Sequence, residues 1–256
     1  MASFNTLGAS HTRHGRRANA VTRTRWMRDL LLSQHVDLVS LQEFQAPQVS
    51  TFVREAAATY DVFPGLAGPR RDAENSVAWR KDTFELVKGE TRPYPYFDGQ
   101  VRNMPLVLLR HRATGVEFYV TSYHNPTNIK KYGNQDRNRA RAVSLQSRDA
   151  NALLAESKSP LIIAGDMNDR ATYFCAMTGA TPLHSADGGD HVGGCHPPAA
   201  AWIDWILGSE DVEFSGYSRD RSSLVRRTSD HPIVLATTKV TGKPGAGKNA
   251  DRPAGG

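Results

Sequence analysis

Five short polar motifs, each attached to an apolar run, hold the side chains that metal-assisted chemistry on phosphate needs. They are Ser3-Phe4-Asn5-Thr6-Leu7, Leu41-Gln42-Glu43, Ser122-Tyr123-His124-Asn125-Pro126, Gly165-Asp166-Met167-Asn168 and Ser229-Asp230-His231-Pro232. Glu43 follows an apolar run, so its carboxylate is expected at a strand end. A hard divalent ion such as Mg²⁺ takes oxygen ligands and keeps several waters, so one protein carboxylate and a substrate phosphate can hold it. Asp166 and Asn168, two apart on an extended segment, point to the same side and can address one phosphate; a plain turn is the bland alternative. Asp204 sits inside Trp202-Ile203-Asp204-Trp205-Ile206-Leu207. A carboxylate among large apolar residues is costly unless paired, and a histidine that donates to it is thereby held in one tautomer. Tyr123 and His124 are neighbours on a strand and point to opposite faces, so only one is expected to reach a phosphate. His124 is the preferred of the two, with Tyr123 the alternative.

The elements that must position these groups alternate between helix and strand. A helix is expected from about Ala18 to His35. A second opens at Pro47, with Val49, Phe52, Val53, Ala56, Ala57 and Tyr60 in one stripe. A third runs from Asn138 to Glu156. Strands are expected at residues 2–6, 37–41, 76–79, 84–87, 106–109, 116–121, 160–164, 203–207, 212–217 and 233–237. Residues 178–199 read as loop. Residues 1–240 form one domain of the α/β or α+β class, and the Gly/Pro/Lys-rich stretch 241–256 reads as a flexible tail.

The chain has 256 residues, with Lys+Arg 32 against Asp+Glu 26 and a net charge of +6. Phosphate polyanions are natural partners of such a balance. Basic residues cluster at Arg13, Arg16, Arg17, Arg23, Arg25 and Arg28, and again at Lys130, Lys131, Arg137, Arg139 and Arg141. Solvated helix faces are the bland alternative for each cluster. No apolar run approaches the roughly 18 residues of a membrane span. The first strand motif starts abruptly after Met1 with no signal peptide, which is expected to reflect removal of upstream sequence.

Across residues 2 to 238 the order and spacing of these motifs resembles the endonuclease/exonuclease/phosphatase superfamily, which includes deoxyribonuclease I, AP endonucleases, neutral sphingomyelinases and inositol polyphosphate 5-phosphatases. The resemblance implies a four-layer α/β/β/α sandwich of two mixed sheets flanked by helices. It places Asn5, Glu43 and Asp230 on the metal side, with Mg²⁺ as the ion and Mn²⁺ or Ca²⁺ as alternatives. Asn168 then contacts a phosphate oxygen, Asp166 orients or deprotonates the attacking water, and Asp204 orients His231. Arg102 resembles a phosphate-gripping arginine ahead of an apolar strand, and Glu74 is a candidate partner for His124. Cys175 and Cys195 stand where deoxyribonuclease I type enzymes carry a disulfide. Free thiols are one alternative, and a zinc site with His184, His191 and His196 another.

The activity implied is a divalent-metal-dependent phosphodiesterase, with nucleic acid as substrate and DNA first. Arg13, Arg16, Arg17, Arg137 and Arg139 are the expected phosphate contacts. A phospholipid phosphodiesterase is the nearest rival, with Pro93-Tyr94-Pro95-Tyr96-Phe97 its candidate membrane loop; a phosphoinositide phosphatase and an inactive binding module are the others. Secretion is expected if the cysteines are bridged, with a cytoplasmic location the alternative, and the chain is expected to act as a monomer.

Overall fold

Strand periodicity explains the layers. In β1 (Ala2–Asn5), Ala2 and Phe4 enter one apolar cluster with helix residues, leaving Ser3 and Asn5 on the other face. The computed structural model describes residues 1–12, 17–242 and 244–245. After β1 come α1 (Ala20–Ser33), β2 (Leu38–Gln42), α2 (Ala46–Ala56), β3 (Tyr60–Phe63), β4 (Ser76–Arg80), β5 (Phe84–Pro95) and β6 (Val101–His111). The second half contains β7 (Glu117–His124), α3 (Asp136–Ser157), β8 (Leu161–Asp166), α4 (Ala171–Ala180), β9 (His184–Ser185), β10 (Asp204–Gly208), β11 (Val212–Asp220), α5 (Ser223–Thr228) and β12 (Ile233–Val240).

Two six-stranded mixed sheets result, ordered β11-β12-β1-β2-β4-β3 and β5-β6-β7-β8-β10-β9. Each has a parallel pair near its centre, β1 with β2 and β7 with β8, joined through α1 and α3 respectively. Three apolar clusters separate four layers. One joins α1, α2 and α5 to the first sheet, and another joins α3 and α4 to the second. The third lies between the sheets and includes Trp79, Val107, Phe118, Ile162, Ile206 and Val234. This is the expected four-layer α/β/β/α sandwich.

Between the sheets, apolar packing gives way to polar side chains toward one end. Ser3, Asn5, Ser40, Gln42, Ser122, His124, Asp166 and Asp204 are all buried there. The sheets are tied across this zone by Ser40 Oγ donating to Thr121 O (3.1 Å) and Gln42 Nε2 donating to Ser122 Oγ (2.9 Å). The ends of β1, β2, β7 and β8 converge on it, as do the starts of β10 and β12.

Several local expectations change. Helix α4 and the short strand β9 enter a region read partly as loop. Cys175 and Cys195 form a disulfide across 20 residues, so neither is free or available to zinc. Tyr94 and Tyr96 of the candidate membrane loop are buried, and Pro93 to Pro95 belong to β5. Part of the expected tail is docked: Thr241 N donates to Asp211 O (2.8 Å) and Gly245 N to Gly115 O (2.9 Å). Residues 243 and 246–256 of that tail lie outside the described residues. Among the described residues, no helix is long and apolar enough to cross a membrane.

Candidate active site

Asp166 ends β8 and is the hub of the polar zone. Its Oδ1 accepts Asn168 N at 2.9 Å, and its Oδ2 accepts Asn5 Nδ2 at 3.0 Å. His124 Nε2 and His231 Nε2 each lie 3.7 Å from the same Oδ2. Those distances exceed a hydrogen bond, so both ring nitrogens can turn toward an incoming phosphate. The close fit behind this hub depends on Gly165. Its φ is +153°, and a Cβ there would fall 1.9 Å from Tyr123 O.

Strand pairing brings in the second carboxylate. Asp204 faces Asp166 across the β8–β10 ladder, and both of its oxygens lie 3.0 Å from His231 Nδ1. Burial works against charge on His231. The carboxylates of Asp204, Asp166 and Asp230 overcome it and raise the imidazole pKa to about 10. Burial, followed by repulsion from Asp204, raises the pKa of Asp166. His124 goes the other way: burial is the main cause that holds it below its ordinary value. One ring is therefore a cation and the other neutral near pH 7.

Of the neighbours Tyr123 and His124, only His124 reaches this pocket. Tyr123 Oη lies 3.2 Å from Tyr94 Oη on the opposite face, against the α3 side. Tyr96, expected in the candidate membrane loop rather than at the site, has its hydroxyl 3.4 Å from His124 Nδ1. Arg102 lies over the Tyr96 ring at 4.6 Å and pairs with Glu74. Glu74 is thus the partner of Arg102 rather than of His124.

Glu43 sits just beyond β2. Its Oε1 accepts Asn5 Nδ2 at 3.2 Å, its Oε2 accepts Gly8 N at 2.8 Å, and His11 Nε2 lies 3.4 Å from Oε2. Burial opposes its ionisation, but His124, the Gly8 amide, His11 and Asn5 together hold its pKa below the ordinary value. His11, in the 3-10 turn Ala9–Thr12, was not singled out from the sequence. The Asn5 side-chain oxygen accepts Leu7 N at 3.0 Å. That bond turns the amide nitrogen toward Glu43 and Asp166, so Asn5 bridges the two acids in this arrangement. Asp230 is exposed at the rim, beside Ser229, whose Oγ donates to Asn5 O at 2.6 Å.

Three residues beside the pocket adopt left-handed backbone angles without being glycine: Leu7 (φ 53°), Glu43 (φ 53°) and Asn168 (φ 50°). Such conformations cost about 1–3 kcal/mol each and persist only where the surroundings impose them. Here the surroundings are identifiable. Arg23 Nη1 donates to Thr6 O (2.6 Å) and Thr228 O (2.9 Å), and its Nη2 donates to Leu7 O (2.6 Å). Gln48 Nε2 donates to Thr6 Oγ1 (2.9 Å), and Asn168 Nδ2 donates to Asn125 O (2.9 Å).

The basic clusters divide by burial. Arg23 is fully buried, and Arg25 and Arg28 pair with Glu55. Arg139 is bound to Asp136 and donates to Pro126 O at 2.9 Å, with Asp169 3.6 Å away. It braces a loop, and the carboxylates of Asp136 and Asp169 already meet its charge. Arg17 is exposed, with Nη1 donating to Ser229 O at 3.1 Å, and Arg137 is exposed on α3. Arg13 and Arg16 lie outside the described residues.

The donor set fits a hard divalent cation. Glu43, Asp166 and Asp204 crowd one pocket, and among the described residues only histidines lie within ion-pair distance of them. Asp166, Asp204 and His231 offer ligand atoms within 4.8 Å of one another. A protonated ring already committed to Asp204 is a poor ligand, so the Glu43 edge suits the ion better.

A four-layer sandwich with such a pocket is the arrangement of a family of metal-dependent hydrolases of phosphoester bonds. The chain belongs to the endonuclease/exonuclease/phosphatase family, whose model matches residues 2–231. Solved structures share the fold at low identity. An endonuclease/exonuclease/phosphatase from Bacteroides vulgatus superposes with TM-score 0.71 at 18% identity, covering 94% of this chain and 98% of that one. A Bacteroides thetaiotaomicron mannosyl-6-phosphatase gives TM-score 0.69 at 18% identity, with 93% and 98% covered. TDP2 from D. rerio, complexed with single-strand DNA product, gives the same TM-score, 0.69, at 18% identity, with 93% and 98% covered. No curated protein sequence matches the chain.

Proposed function

We propose that the protein is a Mg²⁺-dependent phosphodiesterase acting on nucleic acid, DNA first, with low sequence preference. The observation that carries the reaction is the convergence of His124 Nε2 and His231 Nε2 on one oxygen of Asp166, each at 3.7 Å. Asp166, whose proton affinity is raised by burial, accepts a proton from the attacking water. Neutral His124 donates its Nε2 hydrogen to a phosphate oxygen. Cationic His231, held by Asp204, stabilises charge developing on the phosphorane and carries a proton for the leaving oxygen. Asn168 offers its side chain to a further phosphate oxygen. Glu43, with Asp230 at the rim, would hold the ion, and Asn5 fixes the spacing between Glu43 and Asp166. When bound, a divalent cation polarises the phosphate and offsets leaving-group charge.

The preference for nucleic acid rests on the net charge of +6 and on exposed Arg17 and Arg137. Phosphate contacts of this kind carry little sequence information. Binding of single-strand DNA product by the similarly folded TDP2 supports the same choice. Burial of Tyr94 and Tyr96 removes the segment that a lipid-directed enzyme would insert. The Cys175–Cys195 bridge supports an oxidising compartment, hence secretion.

The test supplies supercoiled plasmid, RNA, sphingomyelin and a phosphoinositide, each with Mg²⁺, to the wild type and to Asp166→Ala/His231→Ala. Plasmid should be nicked and then degraded, lipid should be left intact, and the double variant should bind DNA without cleaving it. Turnover of lipid with intact plasmid would overturn the nuclease reading.

A further inference from the structure

Three side chains outside the catalytic motifs meet at the rim. The Arg170 guanidinium carbon lies 4.4 Å from the Trp202 ring centroid, and that of Arg221 lies 4.6 Å from the same centroid. Neither guanidinium has a carboxylate within ion-pair distance among the described residues, and both arginines are exposed. Trp202 Nε1 is buried without a hydrogen-bond partner, so stacking rather than a hydrogen bond accounts for the placement of the indole. Two cations without carboxylate partners around one ring leave a positive charge that an anion could neutralise.

Backbone register places this group beside the catalytic pocket. Met167 N donates to Ile203 O at 2.8 Å, which sets Trp202 next to the Asp166–Asn168 turn. Trp205 Nε1 donates to Asp169 O at 3.0 Å and fixes the turn that carries Arg170. Asp220 pairs with Ile233, so Arg221 emerges next to His231 and Pro232. All three residues therefore leave β8, β10 and β11 at the end of the sandwich where Asp204 and His231 meet. They line its edge, outside the carboxylate cluster.

We propose that Arg170 and Arg221, stacked on Trp202, form a second phosphate site that holds a phosphate flanking the scissile one on a polynucleotide strand. The choice of ligand rests on the nucleic-acid reading above. A guanidinium presents a planar fork suited to two phosphate oxygens. Stacking on the indole restricts each fork before the ligand arrives, which lowers the ordering cost of binding. A substrate with one phosphodiester reaches only the catalytic pocket, whereas a longer strand engages both.

The test compares wild type with Arg170→Ala/Arg221→Ala and with Trp202→Leu, which keeps both charges. Steady-state kinetics with Mg²⁺ use a dinucleoside monophosphate and a short oligodeoxynucleotide, and equilibrium binding of the oligonucleotide is measured in chelator across a salt series. The double arginine variant should raise KM for the oligonucleotide about tenfold at unchanged kcat, leave the dinucleoside unaffected, and reduce the salt slope by about 0.7. Trp202→Leu should reproduce most of the KM change with little change in slope. Unchanged KM for the oligonucleotide, equal losses on both substrates, or a silent Trp202→Leu would overturn the stacked site. If wild type cleaves neither substrate, the nuclease reading falls and binding alone decides the site. An affinity and slope untouched by the arginine substitutions, or no binding by wild type, then overturns it as well.

Discussion

His231 shows how one contact sets a residue's chemistry. Folding raises its pKa from 6.5 to about 10 through the carboxylates around it, against the opposing effect of burial. The resulting stabilisation is full below pH 6.5 and is lost as pH rises through about 10. In metal-free protein, the Tm difference between wild type and His231→Gln should be widest below pH 6.5 and close toward pH 10. A difference that does not vary with pH would remove the Asp204–His231 ion pair from the account. Glu43→Gln should leave a folded protein whose plasmid cleavage falls on the order of 100-fold or more, with partial recovery at high Mg²⁺. Chelation of wild type should match it, and full turnover in EDTA would refute the metal role. The carboxylates and histidines of this pocket were legible because each polar motif interrupts an apolar run. Tyr96 and His11 were not, since nothing in their local sequence separates them from an ordinary core tyrosine and a loop histidine.

At the level of elements, α1 is a positional device as much as a packed helix. Its Arg23 donates to four backbone carbonyls: Ala18 ahead of the helix, Thr6 and Leu7 after β1, and Thr228 at the end of α5. Arg23→Met would strip Thr228 O of this donor and leave Thr6 O and Leu7 O with Gln48 Nε2 alone, with an expected loss of about 2–3 kcal/mol measured by urea unfolding. A loss below about 1 kcal/mol would show that water or loop relaxation replaces it. Counting charge along the sequence could not separate Arg23 from Arg25, because residue type carries no information on burial. Helix α2 was legible from its apolar stripe. Helix α4 was not, because Ala-Thr-Tyr-Phe-Cys-Ala-Met-Thr-Gly-Ala is apolar nearly all round and shows no helical face. The same two-sided burial kept Tyr123 and His124 apart only in the structure. In β7, Phe118 and Val120 face the other sheet while Tyr123 meets the α3 side, so hydrophobicity marks both faces alike.

Over the whole molecule, the sandwich class was legible from strands ending in polar residues between helices, but the pairing of the two sheets was not. Their central parallel pairs and crossover helices repeat in arrangement without a visible repeat in sequence. The contact between sheets is also uneven. At one end Val107, Phe118 and Ile162 form an apolar seam. At the other, polar ties replace it, and Ser3 Oγ, Gln42 Oε1 and Thr121 Oγ1 have no partner among the described residues. Apolar burial stabilises by roughly 25 cal/mol per Å², whereas hydrogen-bonded polar contacts add only about 1 kcal/mol each. Cooperative opening should therefore begin at the catalytic pole and run toward the seam. On gentle heating, amides of β1, β2, β7 and β8 nearest the pocket should exchange with solvent before those beside the seam. Inactivation and unfolding would then be separate events, with the protein turning into a folded but silent sandwich, loosened at its catalytic end, before it melts.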